Sequence, residues 1–517
     1  MTSSHITDEL VCESRRPLRR AAISSKTAIL LIAAITTTWH LTPLRAATAK
    51  MEFNDSAIKS AVKSELHFEM PVFPNFLDVS VSQGIVTLSG SVDNMLAKRR
   101  PVKIAASVRG VLGVIDLITV KPEPRADENI RKDIQTALLD YPATESYMVS
   151  VSVNDGVARL TGTVTSEAES RLVQEIAEGV RGVKDVRNNL ILQYLERRSD
   201  QEIAADIQAV LHLDIWGNDY PIRVWVKNGN VTLTGTVGSL AEKYRANWDA
   251  WVNGALRVDD GELKVEPTAR DHLQRANQHP IRSDGEIKGA LQRSLGSDPR
   301  VSRYADEINI TVEDGVPLLQ GEVGDLKAKS AAGADARNIV GVPAVDNELS
   351  VQPGESLSDD ADTQKRMDAS LHRDPLRTNA RIEAAVIDHV AYLNGSVDSS
   401  AQTMQAQDIA SRTKDVVEVR NHLQIETEPD YFFYGQPIYD FEVFGPAPPK
   451  SDAQIKKDIK REFFWSPFVR RKDISVTVDD GVVKLTGTVG TWMGYEEADR
   501  DARKAGAWEV VNRLQVR

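Results

Sequence analysis

The chain has 517 residues, a formal net charge of -12 and a hydrophobic fraction of 41%. A single core stops growing at roughly 250–300 residues, so this length excludes a one-domain protein, and the hydrophobic fraction excludes wholesale disorder. Residues 1–49 hold six basic and three acidic residues, so the remainder carries -15. That charge excludes a general nucleic-acid binder, because neutralising phosphates requires a basic surface.

Residues 1–49 have the organisation of a signal peptide. Residues 15–20 (RRPLRR) give a basic region, residues 28–35 (AILLIAAI) an apolar region, and residues 47–49 (ATA) a signal-peptidase site. We expect cleavage after Ala49 and export to the periplasm. The alternative is an uncleaved inner-membrane anchor, but the apolar run reaches only about 15 residues and a span needs about 20. Cys12 is the single cysteine, so the exported part can form neither a disulfide nor a thiolate site.

One strand ending recurs six times in the rest of the chain. Examples are VTLSGSV at 86–92, ARLTGTV at 158–164 and VKLTGTV at 483–489. Successive copies of its glycine are separated by 72, 73, 86, 74 and 92 residues, which predicts modules of about 70 residues with two inserted linkers. These shared glycines are Gly90, Gly162, Gly235, Gly321, Gly395 and Gly487.

Each repeat has the same order of predicted elements. An amphipathic helix comes first, as in Ile130, Ile134 and Leu138, and capping boxes such as Ser199 with Glu202 begin several of these helices. Two alternating strands follow, joined by tight turns such as NDG at 154–156. A second helix then leads through an exit such as GVKDVRN at 182–188 into a third strand. The sequence therefore predicts an α+β fold, a tandem array of α-β-β-α-β modules in which two helices cover one face of a three-stranded sheet.

The order, the size, the D-G-x-V-x-L-x-G-x-V hairpin and the G-V-x-x-V-x-N exit together resemble the BON domain, a family of bacterial envelope proteins. The resemblance implies phospholipid or envelope association and no catalysis. The fifth copy departs most, because His389 stands at the turn-glycine position and its first helix, expected from Gln364 to Leu371, lacks a clean apolar stripe. Modules one to six are assigned to residues 52–122, 126–195, 199–267, 283–353, 362–427 and 451–517, with a linker at 428–450.

No motif for catalysis, a metal or a cofactor is expected. The histidines are scattered and form no H-E-x-x-H pattern, and acidic pairs such as Asp479-Asp480 precede glycine in turns, where carboxylates bind backbone amides. The shared glycines lack the G-x-x-x-x-G-K-[ST] context of a phosphate loop, so we interpret them as sites of close backbone packing or a bulge. A module this small offers no deep cleft of its own. We expect a non-enzyme with no cofactor, metal or small-molecule substrate.

Charge and aromatic content distinguish modules one and six. Residues 450–517 hold 14 basic and 11 acidic residues, residues 50–122 hold nine and seven, and the intervening chain is strongly acidic. A basic face beside exposed aromatic rings is typical of contact with anionic bilayers. The alternative is a solvated helix face with rings buried in small cores. The candidate lipid-binding residues are Lys456, Lys457, Lys460, Arg461, Trp465, Arg470 and Arg471.

Two hypotheses follow for function. The first is a periplasmic protein that binds anionic phospholipid surfaces through modules one and six and supports envelope integrity or tolerance of osmotic stress. The second is a periplasmic chaperone or scaffold that holds proteins or an envelope polymer on edge strands and aromatic surfaces. The linker at 428–450 is rich in aromatic residues and proline, and either packs across modules five and six or acts as a peptide-like binding segment.

Overall fold

The structure is a computed structural model that describes residues 53–69, 77–144, 147–194, 197–214, 221–269, 282–352, 358–375, 381–397, 400–425 and 450–516. The expected signal peptide and the aromatic linker lie outside the described residues, apart from Lys450. Within the described part, the chain forms six α-β-β-α-β modules, which confirms the predicted fold class.

Each module contributes two helices. The first helices are α1 (Asp55–Glu69), α3 (Asp127–Asp140), α5 (Asp200–Leu213), α7 (Asp284–Ser297), α9 (Asp360–Arg373) and α11 (Asp452–Trp465). The second helices are α2 (Met95–Ser107), α4 (Glu167–Glu178), α6 (Leu240–Asp249), α8 (Leu326–Arg337), α10 (Ser400–Arg412) and α12 (Trp492–Lys504).

Each module also contributes one small sheet, except that module four has a three-stranded and a two-stranded one. The first strands are β1 (Leu77–Ser82), β4 (Val149–Asn154), β7 (Arg223–Lys227), β10 (Asn309–Glu313), β15 (Arg381–Ile387) and β19 (Ile474–Asp479). The second are β2 (Ile85–Val92), β5 (Val157–Val164), β8 (Asn230–Val237), β11 (Val316–Gln320) with β12 (Glu322–Val323), β16 (Val390–Val397) and β20 (Val482–Val489). The third are β3 (Gly113–Val120), β6 (Asp185–Leu192), β9 (Arg257–Val265), β13 (Asp346–Asn347) with β14 (Ser350–Val351), β17 (Glu418–Asn421) with β18 (Gln424–Ile425) and β21 (Glu509–Val516).

The second strand is central in each sheet. It pairs antiparallel with the first strand across the hairpin and parallel with the third strand across the second helix. Alternate residues of the strand point into the core, so Val86 and Leu88 are fully buried while Ile85 is exposed. In each sheet of three or more strands, the first strand therefore lies at one edge and the third strand at the other.

The shared glycine allows two backbone segments to approach closely. All six have φ between 114° and 140°, a conformation that strains residues with a side chain. A Cβ atom at Gly162 would lie 2.2 Å from the carbonyl oxygen of Met148, and one at Gly487 would lie 2.0 Å from that of Asp473. This confirms the interpretation of these glycines as sites of close backbone packing.

An aspartate at the first position of the first helix fixes the hairpin turn. In module two, both carboxylate oxygens of Asp127 accept turn amides, from Asp155 at 2.8 Å and Gly156 at 2.9 Å. In modules three and five, the corresponding turn amides lower the pKa of the equivalent carboxyls, Asp200 and Asp360. The amide at the turn-glycine position is likewise accepted by the equivalent aspartates Asp55, Asp200, Asp284, Asp360 and Asp452.

The asparagine of the exit motif ties the third strand to the second helix. The Asn188 side chain donates to the backbone oxygen of Ser170 at 3.2 Å and accepts the Leu190 amide at 3.1 Å. Asn347, Asn421 and Asn512 make the same two contacts. The asparagine of the exit motif therefore has a structural role, because it holds the third strand against the second helix.

Module five keeps the common fold despite its sequence. Its first helix is longer than expected, and Thr363, Met367 and Leu371 form a buried stripe at spacings of four residues. His389 takes the turn position with φ 62°, and its amide donates to Asp360 at 3.0 Å, as the turn glycines do in other modules.

Candidate functional site

The modules pack against each other through one repeated contact. The carbonyl of the last residue of a first helix accepts the amide just before the exit glycine of another module. Trp465 accepts from Arg109 at 2.9 Å, Arg373 from Arg181 at 2.8 Å, and Leu213 from Val340 at 2.9 Å. Module six is thereby joined to module one, module five to module two, and module three to module four, which is a nested set of pairs.

The pairing of modules one and six buries Trp465. Its side chain is 8% exposed and belongs to the hydrophobic core of module one. Its ring centroid lies 5.9 Å from that of Phe53 and 5.0 Å from that of Phe464, both in edge-on arrangements. This corrects the expectation of an exposed ring at Trp465. Phe463 is also buried, in the core of module six, whereas Trp508 is 86% exposed.

Charged side chains complete the contact between modules one and six. Lys504 forms ion pairs with Glu65 of module one and, at 2.7 Å, with Glu462 of module six. Although burial lowers the pKa of Lys504, these two carboxylates raise it above its ordinary value. Burial also raises the pKa of Asp501 well above its usual range. Lys504 and its two carboxylate partners therefore take part in the contact between modules one and six.

Part of the predicted basic face forms an open groove. Lys456, Lys460 and Arg471 line a groove of about 610 Å³ beside the edge strand β19, together with Lys472. The helix places Lys456 and Lys460 one turn apart on the same face. Among the residues that the structure describes, none forms an ion pair with these four cations, and Asp473 is the one carboxylate in the groove.

The other candidates lie outside this groove. Lys457 is exposed on the same helix. Arg461 pairs with Asp458 at 3.0 Å and with Glu462 at 3.2 Å, and Arg470 is half-buried. Three of the seven candidate residues are therefore brought together in the groove. Lys472 was not one of the seven candidates, but it belongs to the basic run at residues 470–472 and also lines the groove.

Module one presents an apolar surface on the outer face of its sheet. Ile85, Ile115 and Leu117 are 40%, 47% and 58% exposed, and β2 and β3 are paired side by side along their length. The residues lie on the face opposite the helices, where polar side chains would be usual on a solvated sheet.

A second concave site lies between modules two, three and four. It is a cavity of about 410 Å³, bordered by α4, α6 and α8 and by the ends of α5 and α7. From the sequence, no deep cleft is expected within a single small module, and this cavity lies instead between three modules. In the described part of the chain, no group of three or more side chains is arranged to hold a metal ion.

Residues 54–122, 126–194, 199–267, 283–353, 359–427 and 451–517 each match the BON domain. The chain is 35% identical to osmotically-inducible protein Y of Escherichia coli over 144 residues, which cover 26% of this chain and 72% of that protein. It is 29% identical to an uncharacterized protein in the gshII 5' region of Anaplasma centrale over 152 residues, 28% of this chain and 99% of that one.

Among solved structures, CdsD, a structural protein of the type III secretion system of Chlamydia trachomatis, has 15% identity and a TM-score of 0.12, covering 44% of this chain and 94% of that one. This TM-score is too low to support an argument. None of the helices in the described part combines the length and the apolarity needed to cross a bilayer. The six matches cover most of the sequence, and the chain belongs to the BON-domain family.

Proposed function

We propose that this is an exported envelope protein that acts under osmotic stress by binding anionic phospholipid surfaces through module six. The relationship to osmotically-inducible protein Y supports the link to osmotic stress. The observation that carries the proposal is the basic groove of module six, in which Lys456, Lys460, Arg471 and Lys472 outnumber the single carboxylate, Asp473, and form no ion pair with a described residue.

The strength of such a contact follows from the number of cations. A basic side chain near an anionic membrane contributes about 1 kcal/mol, so the four groove residues and Lys457 together supply about 5 kcal/mol. That corresponds to a dissociation constant of roughly 0.2 mM for one module. Binding of this kind is weak and reversible, and it is reduced by salt because the charges are exposed.

The exposed apolar residues add to this contact. Trp508 of module six and Ile115 and Leu117 of module one are exposed, and burial of such side chains at a membrane interface gives a salt-independent contribution. Modules one and six are net basic and are packed together, so we assign the membrane-facing part of the protein to this pair and not to the net acidic modules between them.

The test is flotation of the exported chain with vesicles. Neutral vesicles and vesicles with anionic lipid are compared at low and high salt. The proposal predicts flotation with anionic vesicles only, reduced by salt. Flotation that is independent of lipid charge would contradict it.

Absence of flotation under every condition would also overturn the membrane proposal. It would favour the other hypothesis, a periplasmic chaperone or scaffold that binds proteins or an envelope polymer. In that case, the exposed first strands at the sheet edges and Trp225 on the outer face of module three would be the surfaces to test first.

A further inference from the structure

The outer face of the sheet in module three carries an exposed tryptophan. Trp225 lies in the edge strand β7 and is 65% exposed. Arg223 and Lys227 are exposed on the same face, because alternate residues of a strand point to the same side. Side chains two residues apart are separated by about 7 Å along a strand, so the ring lies midway between two cations that are about 13 Å apart.

The common fold does not require these three residues. The hairpin registers give every module three equivalent positions on the outer face of its first strand. In the other five modules, none of these positions holds a basic or an aromatic residue. The residues equivalent to Trp225 are all small, namely Ser80, Ser152, Thr311, Ala385 and Thr477. The ring and its two flanking cations are therefore specific to module three.

Most basic residues of module three lie on this outer face. Residues 199–267 hold 11 acidic and six basic residues. Two of the six are ion-paired, Lys243 with Asp260 at 3.7 Å and Arg245 with Asp214 at 2.6 Å. The other four are exposed on the outer face and form no ion pair within the described part of the chain; they are Arg223, Lys227, Arg257 and Lys264.

The acidic residues of this face are confined to its third strand. Asp259 and Glu262 lie on β9, and Asp259 accepts the amide of Gly261 at 3.0 Å within that strand. The outer side of β7 and β8 has no acidic residue. The side chains opposite Arg223, Trp225 and Lys227 are instead the hydrogen-bonding groups of Thr234, Thr232 and Asn230.

This arrangement selects an extended anionic ligand. A single small anion cannot contact both Arg223 and Lys227 across about 13 Å, whereas a chain with repeated carboxylates can. Trp225 is the one large apolar residue on the outer side of β7, β8 and β9, so a bilayer would bury little apolar area here. A polynucleotide requires a more uniformly basic surface. A flat ring among hydroxyl, amide and cationic groups suits a ligand that combines C–H surfaces with hydroxyls and carboxylates.

We propose that the outer face of module three binds an acidic polysaccharide, in which one sugar ring stacks on Trp225 while carboxylates of neighbouring sugars pair with Arg223 and Lys227. The site is separate from the basic groove of module six. The inference therefore goes beyond the proposed function and does not depend on it.

The binding test uses isothermal titration of residues 50–517 with hexagalacturonate, a linear chain of acidic sugars. We expect saturable binding that weakens as salt is added, and binding of the methyl-esterified hexamer, which has the same backbone without charge, that is weaker by about fivefold or more. Absence of saturable binding, or equal binding of the ester, would overturn the proposal. Tighter binding of a thymidine hexanucleotide that is lost in Trp225→Thr would also overturn it, because the face would then be a nucleic-acid surface.

Substitutions taken from other modules locate the site without disturbing the fold. Trp225→Thr introduces the residue that modules four and six have at this position, and the double variant Arg223→Ser with Lys227→Ser introduces serines that modules six and one have there. Each is expected to weaken hexagalacturonate binding about fivefold or more. The control, Arg159→Ser with Arg187→Ser, removes two exposed cations from the outer face of module two and should bind like the unmodified chain. Unchanged binding by the two module-three variants, or equal weakening in the control, would refute the assignment.

Discussion

Substitution of Trp465 by alanine tests whether modules one and six are held together by the contact described here. Trp465 belongs to α11 of module six but is buried in the core of module one against Phe53. Truncation of a buried tryptophan costs about 3–5 kcal/mol. Because the lost packing lies between modules, the cost falls on their association and leaves the core around Phe463 in place.

Hydrogen exchange measures this effect at one amide. The Arg109 amide donates to the Trp465 carbonyl, and both backbone groups survive the substitution. A loss of about 3–5 kcal/mol in the free energy of opening increases exchange of this amide by roughly 10²–10⁴-fold. The control is the β19 segment of module six, whose exchange is expected to stay slow. Unchanged protection of Arg109, or equal loss of protection in β19, would refute the account of the pairing.

Three further outcomes follow from the packing and charge of the modules. Gly162→Ala places a Cβ atom against the carbonyl oxygen of Met148, so it should destabilise module two by about 1–3 kcal/mol in urea unfolding. In the control, Gly296→Ala, the new Cβ atom has no neighbour within 4 Å, so the substitution should be neutral or slightly stabilising. Asp335 has a raised pKa when folded, so its contribution to stability is present at low pH and is lost as pH rises through about 7. The melting temperature should therefore fall from pH 6 to pH 8, and less so in Asp335→Asn; an identical fall would contradict the role of this group. Asn188→Ala removes the link from β6 to α4 and should cost about 1–3 kcal/mol in urea unfolding, while its exposed neighbour Asn189→Ala should cost little.

The module fold could be predicted because its determinants are local. Turn residues, helix caps and the alternation of apolar residues lie within one repeat and recur six times, which separates signal from chance. The shared glycine was interpreted correctly for the same reason. The bond from the aspartate at the start of each first helix to a turn 28 or 29 residues later, as in Asp127, was not predicted, because it joins two segments that no local pattern relates.

The pairing of modules could not be predicted, because it joins residues far apart in the chain. Arg500 and Glu69 form an ion pair across 431 positions, and no periodicity relates them. The pattern of α11 shows that Trp465 is apolar and lies near the helix end, but an apolar side chain buried in a partner module has the same signature as one exposed to a membrane. The cavity escaped prediction for a similar reason, since its walls come from three modules.

The most direct test of the membrane proposal compares partition coefficients of two matched variants on anionic vesicles. One replaces Lys456, Lys460, Arg471 and Lys472 with alanine. The control replaces four exposed basic residues of module three, which gives the same change in net charge; they are Arg223, Lys227, Arg257 and Lys264. At about 1 kcal/mol per cation, the groove variant should bind between a hundredfold and about a thousandfold more weakly than the unmodified chain, and the control should bind nearly as well. Equal partitioning of the two variants would show that net charge, and not the groove of module six, determines binding.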